Sequence, residues 1–396
     1  MKFSERVLNV TPSATLQVSA LAKQMQADGI DVINLSTGEP DFATPLNIQT
    51  AAIASITDGR ASYYTPVSGL PALKTAIINR VEADTGRLVE PNQVTVTVGA
   101  KMGLYSLFQA VLEPGDAAMV IAPYWVSYEE QLKLSGATVQ IVQPAAPDLK
   151  VTVTELEAAK TDATRLLILN SPQNPAGLVY EAAELKAIAQ WALDNDVLLV
   201  ADEIYGKLVY NGTKFTSVLE FSDEIFANTV LIDGVSKAYA MTGWRLGYVV
   251  AQKEIISKIN LLLGHMTSNP TTAAQYAAIE ALSGDQVPVA KMREAFETRL
   301  NTTYALLEAV EGVKLSFKPQ GAFYFFPDVT EAMVKLGYMN TVEFAMAVLQ
   351  EAHVAVVAGE AFGMPGHIRL SYATSQELLT EAIARIKAFI EKSEKA

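Results

Sequence analysis

Short apolar runs, recurring at intervals long enough for a helix, constrain this chain more than any other feature. Val94-Thr95-Val96-Thr97-Val98, Ala118-Met119-Val120-Ile121, Leu166-Leu167-Ile168-Leu169, Val197-Leu198-Leu199-Val200, Val230-Leu231-Ile232 and Tyr248-Val249-Val250-Ala251 each have strand length. Most are continuous rather than alternating, which is the pattern of strands buried on both faces of a mostly parallel sheet. Stretches such as Ala182 to Leu193 supply the crossover helices. The fold class that follows is α/β, a large domain whose mostly parallel sheet is flanked by helices. Past about Pro288 the pattern changes. Val313 to Phe317, Ala322 to Phe326, Val354 to Val357 and Ile368 to Tyr372 read as strands of a smaller mixed sheet, with the amphipathic segment Gln376 to Ile390 packed on it. A length of 396 residues suits about two such domains.

Composition removes several classes of function. Half the residues are hydrophobic and 18% are charged, which suits a packed globular protein rather than a disordered one. With 30 basic against 43 acidic side chains, the net charge of −13 repels phosphate backbones, so nucleic acid is not an expected partner. An anionic substrate must then be captured by local positive groups. No cysteine is present, which excludes disulfide and thiolate chemistry. The three histidines, His265, His353 and His367, share no metal-ligand spacing, so no metal is expected. No apolar run approaches the roughly 20 residues of a membrane helix, and no secretory signal is visible after Met1. A soluble, cytoplasmic protein is expected.

Chemistry concentrates in Val235-Ser236-Lys237-Ala238-Tyr239-Ala240-Met241-Thr242-Gly243-Trp244-Arg245-Leu246-Gly247. Lys237 follows an apolar strand, where a desolvated amine loses its proton more readily and becomes a nucleophile for a carbonyl. Arg245, eight residues on, offers planar donors suited to a phosphate. Together they point to a covalently held, phosphorylated aldehyde, for which pyridoxal 5'-phosphate is the candidate. Taken alone, Lys237 reads more readily as a solvated surface lysine.

Position along the strands gives an independent indication. Ligands of open α/β sheets sit outside the carboxyl ends of the strands. Gly99 with Lys101, Tyr124 with Trp125, Asn170 with Asn174, Asp202 and Lys237 all fall at or just after such ends. Gly99-Ala100-Lys101 forms a strand-to-helix turn whose free amides suit an anion. Asp202 reads either as a helix cap or as the acid partner of a protonated heterocycle. Asn174-Pro175-Ala176-Gly177 reads as a turn or as an amide donor, and Trp125 as a core residue or a stacking platform. Arg369, inside the apolar run Ile368 to Tyr372, needs either an internal salt bridge or a bound carboxylate.

The segment around Lys237 resembles the cofactor-lysine signature of the fold-type I aminotransferases, Ser-Lys-x-x-x-Met-Thr-Gly-Trp-Arg-x-Gly. The resemblance runs from Pro12-Ser13-Ala14-Thr15 to His367-Ile368-Arg369-Leu370-Ser371-Tyr372-Ala373-Thr374 and is strongest toward the bacterial aspartate branch. It implies a large cofactor-binding domain at 48–288 and a small domain formed by 1–47 and 289–396. It also implies pyridoxal 5'-phosphate bound to Lys237, with Asp202 on the ring nitrogen, Tyr205 and Asn174 on the ring hydroxyl, and Trp125 stacked on the ring. The phosphate falls to Gly99, Ala100, Lys101, Ser236 and Arg245, joined by Tyr64 of a second subunit, hence a homodimer. The α-carboxylate of the substrate falls to Arg369, assisted by Gly38, Asn174 and Trp125. Ala176 departs from the threonine usual in that turn. Thr267-Ser268-Asn269-Pro270 lacks the second arginine by which some aspartate enzymes hold a distal carboxylate. The bacterial branch uses a lysine at the position of Lys101, although Lys101 could equally serve the phosphate. The implied reaction is reversible amino transfer from L-aspartate to 2-oxoglutarate. An aromatic or broad-specificity aminotransferase and a lyase on the same scaffold are the alternatives.

Overall fold

The computed structural model describes residues 1–392 and centres on a seven-stranded sheet. Its strands are β1 (Val94–Thr97), β2 (Ala117–Ile121), β3 (Thr138–Val142), β4 (Thr164–Asn170), β5 (Leu198–Asp202), β6 (Thr229–Gly234) and β7 (Gly247–Val250). They lie in the order β1-β7-β6-β5-β4-β2-β3. Every pairing is parallel except those of β7, which runs antiparallel to both β1 and β6.

The continuous apolar runs are explained by two cores, one on each face. Leu167, Leu169, Leu199, Ala201 and Leu231 enter one core, while their neighbours Leu166, Ile168, Val200, Val230 and Ile232 enter the other. Successive side chains of a strand point to opposite faces, so a strand covered on both sides must be apolar throughout. The strand β3 escaped the sequence reading for the complementary reason. It is an edge strand paired only with β2, and polar Thr138 and Gln140 interrupt its apolar residues while Ile141 is exposed. The expected helix after Tyr180 is present at Ala182–Asp194.

The C-terminal part needs two corrections. Val313 to Phe317 forms no strand; Lys314 makes a single bridge to Asp328 instead. The expected strand Val354 to Val357 is divided in two. Val354–Ala355 pairs parallel with Ile33–Asn34, and Val357–Ala358 pairs antiparallel with Ile368–Ser371, which also borders Tyr324–Phe325. A third core unites Ile33 and Leu35 with Phe323, Val354, Leu370 and the helix Gln376–Glu391. Ser375 caps that helix, its hydroxyl accepting from the Leu378 amide. Among the described residues, no helix is long and apolar enough to cross a membrane.

Candidate active site

A cavity of about 450 Å³ opens beyond the carboxyl ends of the sheet strands, walled on its far side by Ser36, Gly38, Tyr324 and Arg369. Of the residues singled out from the sequence for the site, all line it except Gly99, Tyr124 and Tyr64.

Lys237 enters the cavity from the loop that joins β6 to β7, and its Nζ donates to the Gly38 carbonyl at 2.5 Å. Desolvation lowers its pKa to about 8, aided by the positive charge of Arg369 and opposed by Glu39. Free amine is therefore more abundant near neutral pH than for an ordinary lysine, although the ammonium form still predominates. The rings of Tyr205 and Phe323 stand 5.8 Å from Nζ and keep its surroundings apolar.

Arg245 leaves the same loop with left-handed backbone, φ 54°, and its Nη1 donates to the Thr242 carbonyl at 2.9 Å. Its guanidinium lies against Gly99, where a Cβ would come 2.6 Å from Nη2. Gly99 itself has φ +75° and precedes the helix Ala100–Val111, which has no side-chain cap. A glycine is required there both by the backbone and by the arginine. The result is a guanidinium beside an uncapped helix N-terminus, two complementary attractions for a phosphate. Ser236 lines the cavity next to them.

Asp202 ends β5 and is 4% exposed. Burial lifts its pKa to about 6, against a hydrogen bond from Tyr128, whose hydroxyl donates to Oδ2 at 2.6 Å. Its backbone carbonyl accepts from Asn170 Nδ2 at 2.8 Å, and Asn170 Oδ1 in turn accepts the Asn174 amide at 2.8 Å. The ends of β4 and β5 are thus locked to the turn that carries Asn174.

Arg369 is 2% exposed and has no carboxylate partner among the described residues. Its Nη1 donates to Asn174 Oδ1 at 3.0 Å and its Nη2 to the Ser36 carbonyl at 2.6 Å, while Nε has no partner. The rings of Tyr324 and Phe362 lie 4.6 and 5.1 Å from its Cζ. The internal salt bridge that the sequence left open is not there. Tyr205 and Tyr324 hydrogen-bond through their hydroxyls at 2.9 Å, and a Cβ on Gly38 would come 2.9 Å from the Tyr324 hydroxyl.

Trp125 stands edge-on to Tyr128, and Lys101 Nζ lies 4.8 Å from the Trp125 ring centroid. Desolvation and the charge of Arg245 lower the Lys101 pKa. Tyr64 lies elsewhere, 89% exposed in a separate depression with Arg60 and Tyr276. His367 stacks on Phe326, centroids 5.0 Å apart. Among the described residues, no group of three or more His, Cys, Asp or Glu is arranged to hold a metal.

The profile of the family "Aminotransferase class I and II" matches residues 30–386. The chain is a class I and II aminotransferase. It is 52% identical to an asparagine–oxo-acid transaminase of Streptococcus mutans, covering 99% of this chain and all of that one. It is also 52% identical to an aspartate aminotransferase of Bacillus sp. over 98% of each chain. The aspartate aminotransferase of Thermus thermophilus with maleate superposes with a TM-score of 0.92 at 38% identity, covering 98% of this chain and 99% of that one.

Aminotransferases of this class work with pyridoxal 5'-phosphate, and the cavity of this aminotransferase fits it. A desolvated amine, a buried carboxylate, an aromatic wall and an arginine at a helix N-terminus converge on a volume of ligand size. Tyr128 and Tyr324 are the residues that sequence reasoning missed. Tyr128 is a tyrosine in an unremarkable helix, and Tyr324 is hidden in the apolar run Ala322 to Phe326. The helix Ala14–Ala27 also lends Thr15, Leu16, Ser19 and Lys23 to the wall.

Proposed function

We propose that this aminotransferase moves the amino group of L-aspartate to 2-oxoglutarate, reversibly, giving oxaloacetate and L-glutamate. The observation that carries the reading is the buried, carboxylate-free guanidinium of Arg369 facing the same cavity as the desolvated Lys237. An unpaired buried cation is costly, and a bound α-carboxylate relieves that cost with two parallel hydrogen bonds. Lys101 is the cation for a second carboxylate. Aspartate in the names of several relatives, and the dicarboxylate maleate with the Thermus enzyme, support a dicarboxylic substrate.

When bound, pyridoxal 5'-phosphate supplies an aldehyde that condenses with amines and a ring that withdraws electrons. Lys237 anchors it and then, as free amine, takes the proton from the substrate Cα and delivers it again as acid. The Asp202 carboxylate keeps a proton on the ring nitrogen. Tyr205 and the Asn174 amide nitrogen would hold the ring hydroxyl, and Trp125 would stack against the ring. Arg245, Ser236 and the amides of Gly99, Ala100 and Lys101 hold the phosphate. Gly38 and Arg369 orient the α-carboxylate. We place the site between a large domain, 48–288, and a small domain of 1–47 with 289–396. The separate cores around the sheet and around the helix Gln376–Glu391 favour this division. The working form is a cytoplasmic homodimer in which the exposed Tyr64 of each copy reaches the phosphate of the other.

The test is an absorbance titration of the loaded enzyme with single amino acids. Aspartate is expected to discharge the cofactor at lower concentration than phenylalanine or tyrosine. No response to aspartate, with a response to an aromatic donor, would replace the proposed substrate. Asparagine belongs in the same series because an equally similar relative carries its name.

A further inference from the structure

Tyr128 is one residue inside the helix Ser127–Ser135, fully buried, and touches both groups that would hold the cofactor ring. Its hydroxyl donates to Asp202 Oδ2 at 2.6 Å, and its ring stands edge-on to Trp125 at 5.4 Å and 85°. The other Asp202 oxygen receives only the Ile204 amide, at 3.3 Å. The remaining titratable groups that feel Asp202 are Lys237, Tyr205 and Asp233. A carboxylate this deep depends on its donors, and Tyr128 is the short one.

Resting on the aminotransferase reading of the cavity, we propose that Tyr128 is a positioning residue that keeps Asp202 an aligned carboxylate. The proton between Asp202 and the cofactor's ring nitrogen then stays on the nitrogen. Without the hydroxyl, the dry carboxylate becomes the stronger base and draws that proton toward itself. The ring loses electron-withdrawing power, while Arg369 and Lys101 still bind substrate as before. Tyr128 therefore acts on kcat rather than on KM.

Tyr128→Phe removes the hydroxyl and keeps the ring against Trp125. In holoenzyme loaded with cofactor carrying nitrogen-15 in its ring, the nuclear magnetic resonance signal should move from pyridinium toward neutral pyridine. The kcat should fall about tenfold to a hundredfold, the range expected for a hydrogen bond to a charged group. The KM for aspartate should change less than about threefold. In an Asp202→Ala background, Tyr128→Phe should cost nothing further. A wild-type nitrogen signal with a wild-type kcat would overturn the proposal. Should the phenylalanine variant fail to fold, ring-fluorinated tyrosine at 128 donates more strongly in the same shape. It should move the acidic limb of the pH–rate profile to lower pH, and an unmoved limb would equally overturn it. Borohydride fixation separates the two readings. No cofactor fixed on wild-type Lys237 rejects the aminotransferase assignment of the cavity, whereas fixed cofactor with an indifferent Tyr128→Phe rejects only the role of Tyr128.

Discussion

Arg369 and Asn174, 195 positions apart in the chain, share a hydrogen bond of 3.0 Å from guanidinium Nη1 to amide Oδ1. The bond uses the Asn174 oxygen and leaves its Nδ2 as a donor, so one contact sets the orientation of both side chains. It also ties a residue of the main sheet's loop to one of the smaller C-terminal sheet.

Arg369→Ala should lower kcat/KM for amino acids about 10²- to 10³-fold, the cost of losing one partner of a buried charge pair. Arg369→Lys keeps the charge but not the planar fork, and should recover only part of the loss. Steady-state kinetics with cofactor content measured in parallel checks this. An unchanged kcat/KM in Arg369→Ala would remove the α-carboxylate from this position.

Lys237 gives a pH dependence with a definite sign. Its pKa is depressed from 10.5 to about 8 by burial, so the folded chain releases its proton before the unfolded chain does. Between about pH 8 and 10.5 the unfolded state holds more protons, and stability from this group rises with pH. Cofactor uptake by apoprotein should accelerate as pH rises through about 8, followed by stopped-flow absorbance. Lys237→Ala should take up no borohydride-fixable cofactor and show no turnover.

Lys101 offers a test that separates the donors. Lys101→Ala should raise the KM for aspartate about 10- to 100-fold while changing that for an aromatic amino acid little, because only aspartate carries a distal carboxylate. Equal losses for both donors would assign Lys101 to the cofactor phosphate.

Glu203 provides a test of stability apart from catalysis. Buried next to Asp202, it accepts the Val218 amide at 2.9 Å, and burial lifts its pKa to about 8. The folded state holds this proton from pH 4.5 to about 8 while the unfolded state does not, so its stabilising effect is lost as pH rises through 8. Glu203→Gln keeps the acceptor and cannot ionise. Its melting temperature should match wild type near pH 5 and exceed it at pH 9. Equal temperatures at both values would show that Glu203 ionises freely in the fold.

The sheet was legible because burial on both faces leaves an unbroken apolar signature, as in Leu166 to Leu169. β3, wetted at the edge, has no such signature. Val313 to Phe317 misled because its apolar residues pack individually without joining a ladder. The cavity was legible where chemistry requires a rare residue in a set place, as at Lys237, Asp202 and Arg369. Tyr128 and Tyr324 act through single hydroxyls whose partners lie 74 and 119 positions away, and local pattern carries no trace of such pairings.

The antiparallel course of β7 has a consequence for how this enzyme can change. The reversal returns the chain beside β6 through the span 235–246, with Gly234 opposite Gly247. A Cβ on Gly247 would strike the Ala100 nitrogen at 2.3 Å, so the return is held tight against the helix that follows Gly99. Lys237 and Arg245 therefore stand on the same closely packed return. Drift in loop length, tolerated elsewhere on the surface, has almost no room here.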